Sequence, residues 1–228
     1  MFKHVYVDLC DTLIKGNTTF MFLDSFFSHQ KNNSYWFYRK VSTTFLMKVF
    51  FKLLFFLKID LNRKIAVRFL NGYDIDFLKE HVRKMLISGF FIENKELVGV
   101  MRYAKTKHIP VTIISASLDF IVEVVASHYD IDCFSSKLEY KNGICQGRIT
   151  QDLLFNKNRI FGEVEKNNND YCFISDNIQD IMLLKSCSHG FGVPNLKNKK
   201  AFVDNNIKLI NYDELINLII KASYCERV

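Results

Sequence analysis

The run Val5-Tyr6-Val7 is apolar without alternation and breaks at once into Asp8-Leu9-Cys10-Asp11-Thr12. A strand with no polar face is buried on both sides, which is the pattern of a parallel sheet covered by helices. Its first polar residue, Asp8, then falls at the carboxyl end of the strand, where open α/β sheets hold their ligands. A carboxylate placed there, with no Lys or Arg beside it in sequence, suits attack on an electrophile or capture of a cation. Asp in such a place also starts turns and caps helices, and residues 5–13 alone leave both uses open.

From Asn94 onward the chain alternates helix and strand. Lys95 to Lys107 has the period of an amphipathic helix and Pro110 to Ile114 that of a buried strand. A helix from Leu118 to His128, a strand at Ile131 to Phe134 and a hairpin turning at Lys141-Asn142-Gly143 follow. A helix near Asn158 to Lys166, a strand at Tyr171 to Ile174, a helix from Ile178 to Ser186, a short strand at Gly190 to Val193 and a helix from Tyr212 to Lys221 complete the chain. This order predicts an α/β fold with helices on both faces of a parallel sheet.

Between Leu13 and Asn94 the pattern is helical. Asn17-Thr18-Thr19 is placed to cap a helix carrying Phe22, Leu23, Phe26 and Phe27 on one face. Helical patterns continue through Tyr35 to Lys40, Phe45 to Lys58 and, after the turn at Asn71-Gly72, Phe77 to Ile87, four helices in all. The stretch Phe45 to Leu57 is the most hydrophobic, yet Lys48 and Lys52 interrupt it on one face, and it is short of the about 20 apolar residues a spanning helix needs. Two readings follow. The expected one is a core helix of a small bundle; the other is a helix lying in a membrane interface with its lysines toward anionic headgroups.

In 228 residues, 22 Phe and 10 Tyr against 9 Gly and 2 Pro indicate a packed core without low-complexity linkers. A formal charge of +7 favours anionic partners: phosphorylated metabolites, nucleic acid or an acidic membrane surface. Six scattered cysteines form no CxxC pair and the histidines no ligand spacing, so neither zinc nor a redox motif is indicated. The chain opens on its first strand without a signal-like segment, and a cytoplasmic, reducing setting is expected. There is no GxxxxGK[ST] loop, and Gly190-Phe191-Gly192 lacks the third glycine of a dinucleotide fingerprint. Aromatic and basic residues interleave at Tyr35 to Lys40, but on a helix this is more often a packed face with a charged edge, and no nucleic-acid partner is expected.

Further strand ends repeat the theme of Asp8. Ile114 runs into Ser115-Ala116-Ser117, hydroxyl residues expected to open a helix whose free N–H groups hold a phosphate oxygen. Ile174 runs into Ser175-Asp176-Asn177-Ile178-Gln179-Asp180, and Lys157 stands at the start of a helix between the two. A strand-end carboxylate, a hydroxyl, a lysine and an acidic pair together describe phosphoryl transfer with a divalent cation.

In order and context these segments resemble the haloacid dehalogenase superfamily of phosphohydrolases: Asp8-Leu9-Cys10-Asp11-Thr12 as first motif, Ser115 as second, Lys157 as third, and Ser175 to Asp180 as fourth. The serines followed by the hairpin Leu138 to Ile149, and a helical insert directly after the first motif, are similar to the phosphoserine-phosphatase-like branch. The resemblance implies a Rossmann-like parallel-sheet core, residues 1–15 and 91–228, with an inserted all-helical cap, residues 16–90. It implies that Asp8 attacks phosphorus and forms an aspartyl-phosphate, and that Mg²⁺ is held by the Asp8 carboxylate, the Cys10 carbonyl and Asp176, with Asp180 binding the metal or orienting its water. Ser115, Ala116 and Lys157 would receive the phosphoryl oxygens, with Asn17, Thr18 and Thr19 near the entrance. The substrate implied is a small phosphorylated metabolite, with peripheral membrane contact through the Phe-rich helix as a further option. Oligomeric state is not indicated.

One position departs from the family. Its phosphatases carry a second Asp two residues after the nucleophile, which protonates the leaving group; here that residue is Cys10. A thiol, with a reference pKa of about 8.5, is a poor replacement. Three explanations compete: Asp11 serves as acid and base, the substrate has a good leaving group, or turnover is slow or absent and the protein binds a phosphorylated ligand.

Overall fold

Val5, Tyr6 and Val7 are buried, and the strand they form pairs in parallel on both sides, with Val7 opposite Ile113 on one flank and Ile174 on the other. In the computed structural model, which describes residues 2–164 and 170–225, this strand is β1 (His4–Val7). Five helices follow: α1 (Thr18–His29), α2 (Asn33–Ser42), α3 (Phe45–Phe56), α4 (Leu61–Arg68) and α5 (Ile75–Ile87). Then come α6 (Lys95–Thr106), β2 (Val111–Leu118), α7 (Asp119–Tyr129), the hairpin β3 (Asp132–Lys141) and β4 (Ile144–Gln151), and α8 (Lys157–Val164). β5 (Tyr171–Ser175), α9 (Ile181–Ser186), β6 (His189–Gly192), α10 (Lys199–Asp204), β7 (Lys208–Leu209) and α11 (Tyr212–Cys225) complete the chain. The expected end of α8 at Lys166 lies outside the described residues.

The seven strands form one sheet in the order β4-β3-β2-β1-β5-β6-β7, parallel except for the β3–β4 hairpin. β1 therefore sits where the order reverses, between β2 and β5, and parallel register brings all three carboxyl ends to one edge. Asn142 and Gly143 both take positive φ, 51° and 79°, as the tight hairpin turn requires. The glycines at 190 and 192 serve packing: a Cβ on Gly190 would lie 2.0 Å from the Leu184 carbonyl oxygen, and one on Gly192 would meet the Phe202 ring.

The inserted helices start on short polar side chains. Asn17, Asn32, Asp60 and Asp74 accept from backbone N–H groups at the heads of α1, α2, α4 and α5, each such cap contributing about 1 kcal/mol. The two ends of the insert are tied together, Lys15 N donating to Ile92 O at 2.8 Å and Asn94 N to Leu13 O at 2.8 Å. The segment before α5 also pairs with the hairpin, Gly72 N donating to Cys145 O and Cys145 N to Tyr73 O, both at 2.9 Å.

Several expectations need correction. The insert has five helices, not four: α4, eight residues with buried Arg63, Ala66 and Val67, was not read as a helix. α3 is not the core helix of a bundle, for none of its residues is buried. Ser115-Ala116-Ser117 does not open a helix; β2 continues through Leu118, with its register to β3 shifting between Ser115 and Leu118. No helix among the described residues is long and apolar enough to cross a membrane.

Candidate active site

Asp8 follows directly on β1 and is 4% exposed. Its Oδ1 accepts from Leu9 N at 2.8 Å, which fixes the carboxylate plane, while Oδ2 faces Lys157 Nζ at 3.1 Å. Lys157, the first residue of α8, is 3% exposed and donates at 2.6 Å to Asp180 Oδ2, which also accepts from Ser175 Oγ at 2.7 Å. Burial works to lower the Lys157 pKa, but Asp180 and then Asp8 outweigh it and hold the ammonium charged. Burial pushes the Asp8 pKa up, and Lys157 offsets that only in part.

Asp176 comes in from the end of β5. It is held by side chains from two other segments: Thr12 Oγ1 accepts its N–H at 2.8 Å, and Asn198 Nδ2 donates to its carbonyl at 2.6 Å. Its carboxylate accepts from Thr12 Oγ1 and Asn195 Nδ2, both at 3.3 Å. Burial, and then the charges of Asp8 and Asp11, push the Asp176 carboxyl up to about 7. Three carboxylates thus crowd one side of the cleft while Lys157 is shared with Asp180, an excess of negative charge that a divalent cation would offset. Among the described residues no group of three or more His, Cys, Asp or Glu side chains is placed to hold a metal ion by itself, so a cation here would also need the Cys10 carbonyl and water. The donors offered are hard oxygens with room for water, which suits a cation of the Mg²⁺ kind rather than zinc. Asp180, expected to bind the metal or orient its water, accepts here from Lys157 and Ser175 and so holds the lysine in place.

On the other side a chain of hydroxyl groups links three segments. Cys10 Sγ lies 3.1 Å from Thr18 Oγ1, which donates to Ser117 Oγ at 2.8 Å; Ser117 N in turn donates to Ser115 Oγ at 3.1 Å. Burial, reinforced by the Asp8 charge, pushes the Cys10 thiol up to about 11, so it stays a neutral SH group at physiological pH. Asp11 has a left-handed backbone (φ 52°), and its Oδ1 accepts from Gly16 N at 2.7 Å. Thr18, expected near the entrance, is fully buried and braces Ser117, while Asn17 and Thr19 line the cleft.

Asp8, Cys10, Asp11, Ser115, Ala116, Lys157 and Asp176 all border one cavity of about 350 Å³. Its far wall comes from the insert: Phe55, Asp60 and Arg63. Arg63, 4% exposed, was not singled out from sequence. Its guanidinium donates to the Ala116 carbonyl and to Asp152, joining α4 to the end of β2 and the segment after β4. Asn195 and Asn198 were also missed; the only sequence hint is a polar run after Pro194 beyond a strand end.

A buried aspartate, held in one orientation and faced by a lysine at the switch point of a parallel sheet, defines the class of α/β proteins that work by carboxylate chemistry at a strand end. Residues 5–185 match the family described as haloacid dehalogenase-like hydrolase, and the chain belongs to that family. Similar solved structures include a substrate-bound phosphoserine phosphatase (15% identity, 97% of this chain and 98% of that one, TM-score 0.64). A HAD family hydrolase from Salmonella enterica serovar Typhi is similar at 17% identity over 91% of this chain, with TM-score 0.64; this chain spans 66% of its length. A cytosolic 5'-nucleotidase IIIB bound to cytidine is similar at 14% identity, over 98% of this chain and 86% of that one, with TM-score 0.61. At these identities the likeness is one of fold. No curated protein matches the sequence.

Proposed function

We propose that the protein is a Mg²⁺-dependent phosphatase that hydrolyses a phosphomonoester through an aspartyl-phosphate on Asp8, the inserted helices 16–90 acting as the cap over the site. The observation that carries this reading is the orientation of Asp8: one oxygen is fixed by the Leu9 amide and the other is directed toward Lys157. Asp8 Oδ2 attacks phosphorus and the ester P–O bond breaks, the leaving oxygen departing with the electron pair. Water then attacks the phosphorus of the acyl phosphate, the P–O bond to Asp8 breaks, and inorganic phosphate and the free carboxylate result. Lys157 and the Ser115 hydroxyl face the phosphoryl oxygens and compensate their charge, and Asp180 keeps the lysine in place. A divalent cation held by Asp8, the Cys10 carbonyl and Asp176 would supply further charge neutralisation at the phosphoryl group. The phosphoserine phosphatase and nucleotidase likenesses support a small phosphorylated substrate.

The neutral Cys10 thiol gives the leaving group no proton, so alkyl phosphates should turn over, but more slowly than aryl phosphates such as p-nitrophenyl phosphate. Phosphate release from p-nitrophenyl phosphate with Mg²⁺ tests the reading; it is expected in the wild type and lost in Asp8→Asn. No release from this or any of a broad set of phosphometabolites, with thermal stabilisation by one of them, would make the protein a phosphate-ligand binder instead.

A further inference from the structure

α2 and α3 form an edge of the insert with an apolar outer surface. On α3, Phe45 is 79% exposed, Leu46 78% and Phe56 73%, the residue just after it, Leu57, is 69% exposed, and Phe37 of α2 is 72% exposed. At 100° per residue Phe45, Val49, Leu53 and Phe56 make one outward row, with Leu46, Phe50 and Leu57 beside it. The half-buried Met47, Phe51, Leu54 and Phe55 face the protein, and Lys48 and Lys52 lie in a strip bordering the outward row. The helix is thus apolar toward solvent as well as toward the protein, with its charge confined to one flank. At about 18 Å it is too short to span a bilayer but of a form that lies in one.

Charge identifies what would cover this face. From Lys31 to Ile59 the chain has six cations, Lys31, Arg39, Lys40, Lys48, Lys52 and Lys58, and no Asp or Glu. Arg39 pairs with Asp24, and the five lysines are exposed. A second copy docked face to face would set these like charges against one another, whereas anionic lipid headgroups complement them.

We propose that α2 and α3 seat the protein on an anionic bilayer, their aromatic and leucine side chains entering the headgroup boundary and the lysines meeting lipid phosphates. Phe55, on the inward side of α3, stacks edge-on with Phe155 at 5.0 Å and lines the Asp8 cavity. The helix that meets the bilayer is therefore also a wall of the site, and the substrate class, which rests on the phosphatase reading, is a lipid phosphomonoester.

The test is flotation of the Asp8→Asn protein with phosphatidylcholine vesicles, with and without about 30% phosphatidylserine. Binding is expected at low salt only with the anionic lipid. It should weaken at least about tenfold in Leu46→Ser/Phe56→Ser and in Lys48→Glu/Lys52→Glu, with Tm unchanged because these side chains are exposed. Absence of binding, binding indifferent to the apolar pair, or a concentration-dependent dimer abolished by that pair would overturn the proposal. In the active protein, phosphatidic acid in the same vesicles should be hydrolysed. If p-nitrophenyl phosphate is cleaved and phosphatidic acid is not, the lipid substrate is wrong; if neither is cleaved, the phosphatase reading falls while the docking surface is still judged by flotation.

Discussion

Cys10 is the residue at which the chain departs furthest from its family's chemistry, and the structure gives the departure a physical form. The thiol is half-buried beside Asp8, raised to about 11 and hydrogen-bonded to Thr18, so it links segments without exchanging a proton at neutral pH. Asp11 does not stand free either, one of its oxygens being held by Gly16 N. If protonation of the leaving group is what the site lacks, Cys10→Asp restores it. We expect kcat on an alkyl phosphate to rise about 10- to 100-fold, and on p-nitrophenyl phosphate, whose leaving group needs no proton, by less than about threefold. Equal gains on both would show that Cys10 limits something other than proton transfer. Asp8 and Ser115 stand out in the sequence because each ends a run of apolar residues, and Lys157 because it opens a helix. Asn195 and Asn198 do not, and Thr12 does so only as part of the first motif, since what all three do is hold Asp176 in place across long stretches of chain.

At the level of elements, α4 was overlooked because eight residues show little more than two turns of periodicity, yet it ties the insert to the sheet. Arg63→Ala would leave the Ala116 carbonyl with Ser136 as its remaining side-chain donor and Asp152 without its buried cation. The expected cost is about 2 to 4 kcal/mol in urea unfolding, with Arg63→Lys recovering little of it because an ammonium cannot make the forked contact. α3 was misread for a different reason: composition reports that a helix is apolar, not whether anything covers it.

The packing of α1 on α5 carries its own pH dependence. His81 Nε2 lies 3.0 Å from Ser25 Oγ and its ring is set among Phe22, Phe26 and His29. Burial, then His29 and Lys84, lower its pKa to about 4. The unfolded chain takes up this proton near its ordinary pKa of about 6.5 and the folded chain only near 4, so the contribution is intact above pH 6.5 and is lost as pH falls toward 4. With solvent screening the loss is on the order of 1 kcal/mol. His81→Phe should flatten the stability profile in that window by this amount; an unchanged profile would place the acid sensitivity elsewhere.

Across the whole molecule, the alternation of strand and helix was enough to give the parallel sheet, because burial on both faces writes itself into consecutive residues. What it does not give is how the insert is attached. The segment carrying α1 to α5 is closed at its neck by the Lys15–Ile92 and Leu13–Asn94 hydrogen bonds, and sewn to the β3–β4 hairpin through Gly72, Tyr73 and Cys145. The catalytic edge is thus a place where β1, β2, β5 and the insert all converge, and three carboxylates are held close together by the entire fold. If that edge holds the proposed cation, the cation is a folding ligand as well as a catalytic one. Mg²⁺ at 100 times its Kd should stabilise the native state by about 2.7 kcal/mol, read as a Tm rise of about 5 to 10 °C for a chain of this size. Asp176→Asn removes an acid that repels Asp8 and Asp11, so without metal its Tm should rise rather than fall, while the Mg²⁺-dependent shift should largely vanish. The two signs are opposite for a ligand of the cation and the same for a residue that merely packs. A metal shift that survives in Asp176→Asn would put the cation somewhere other than the sheet's switch point.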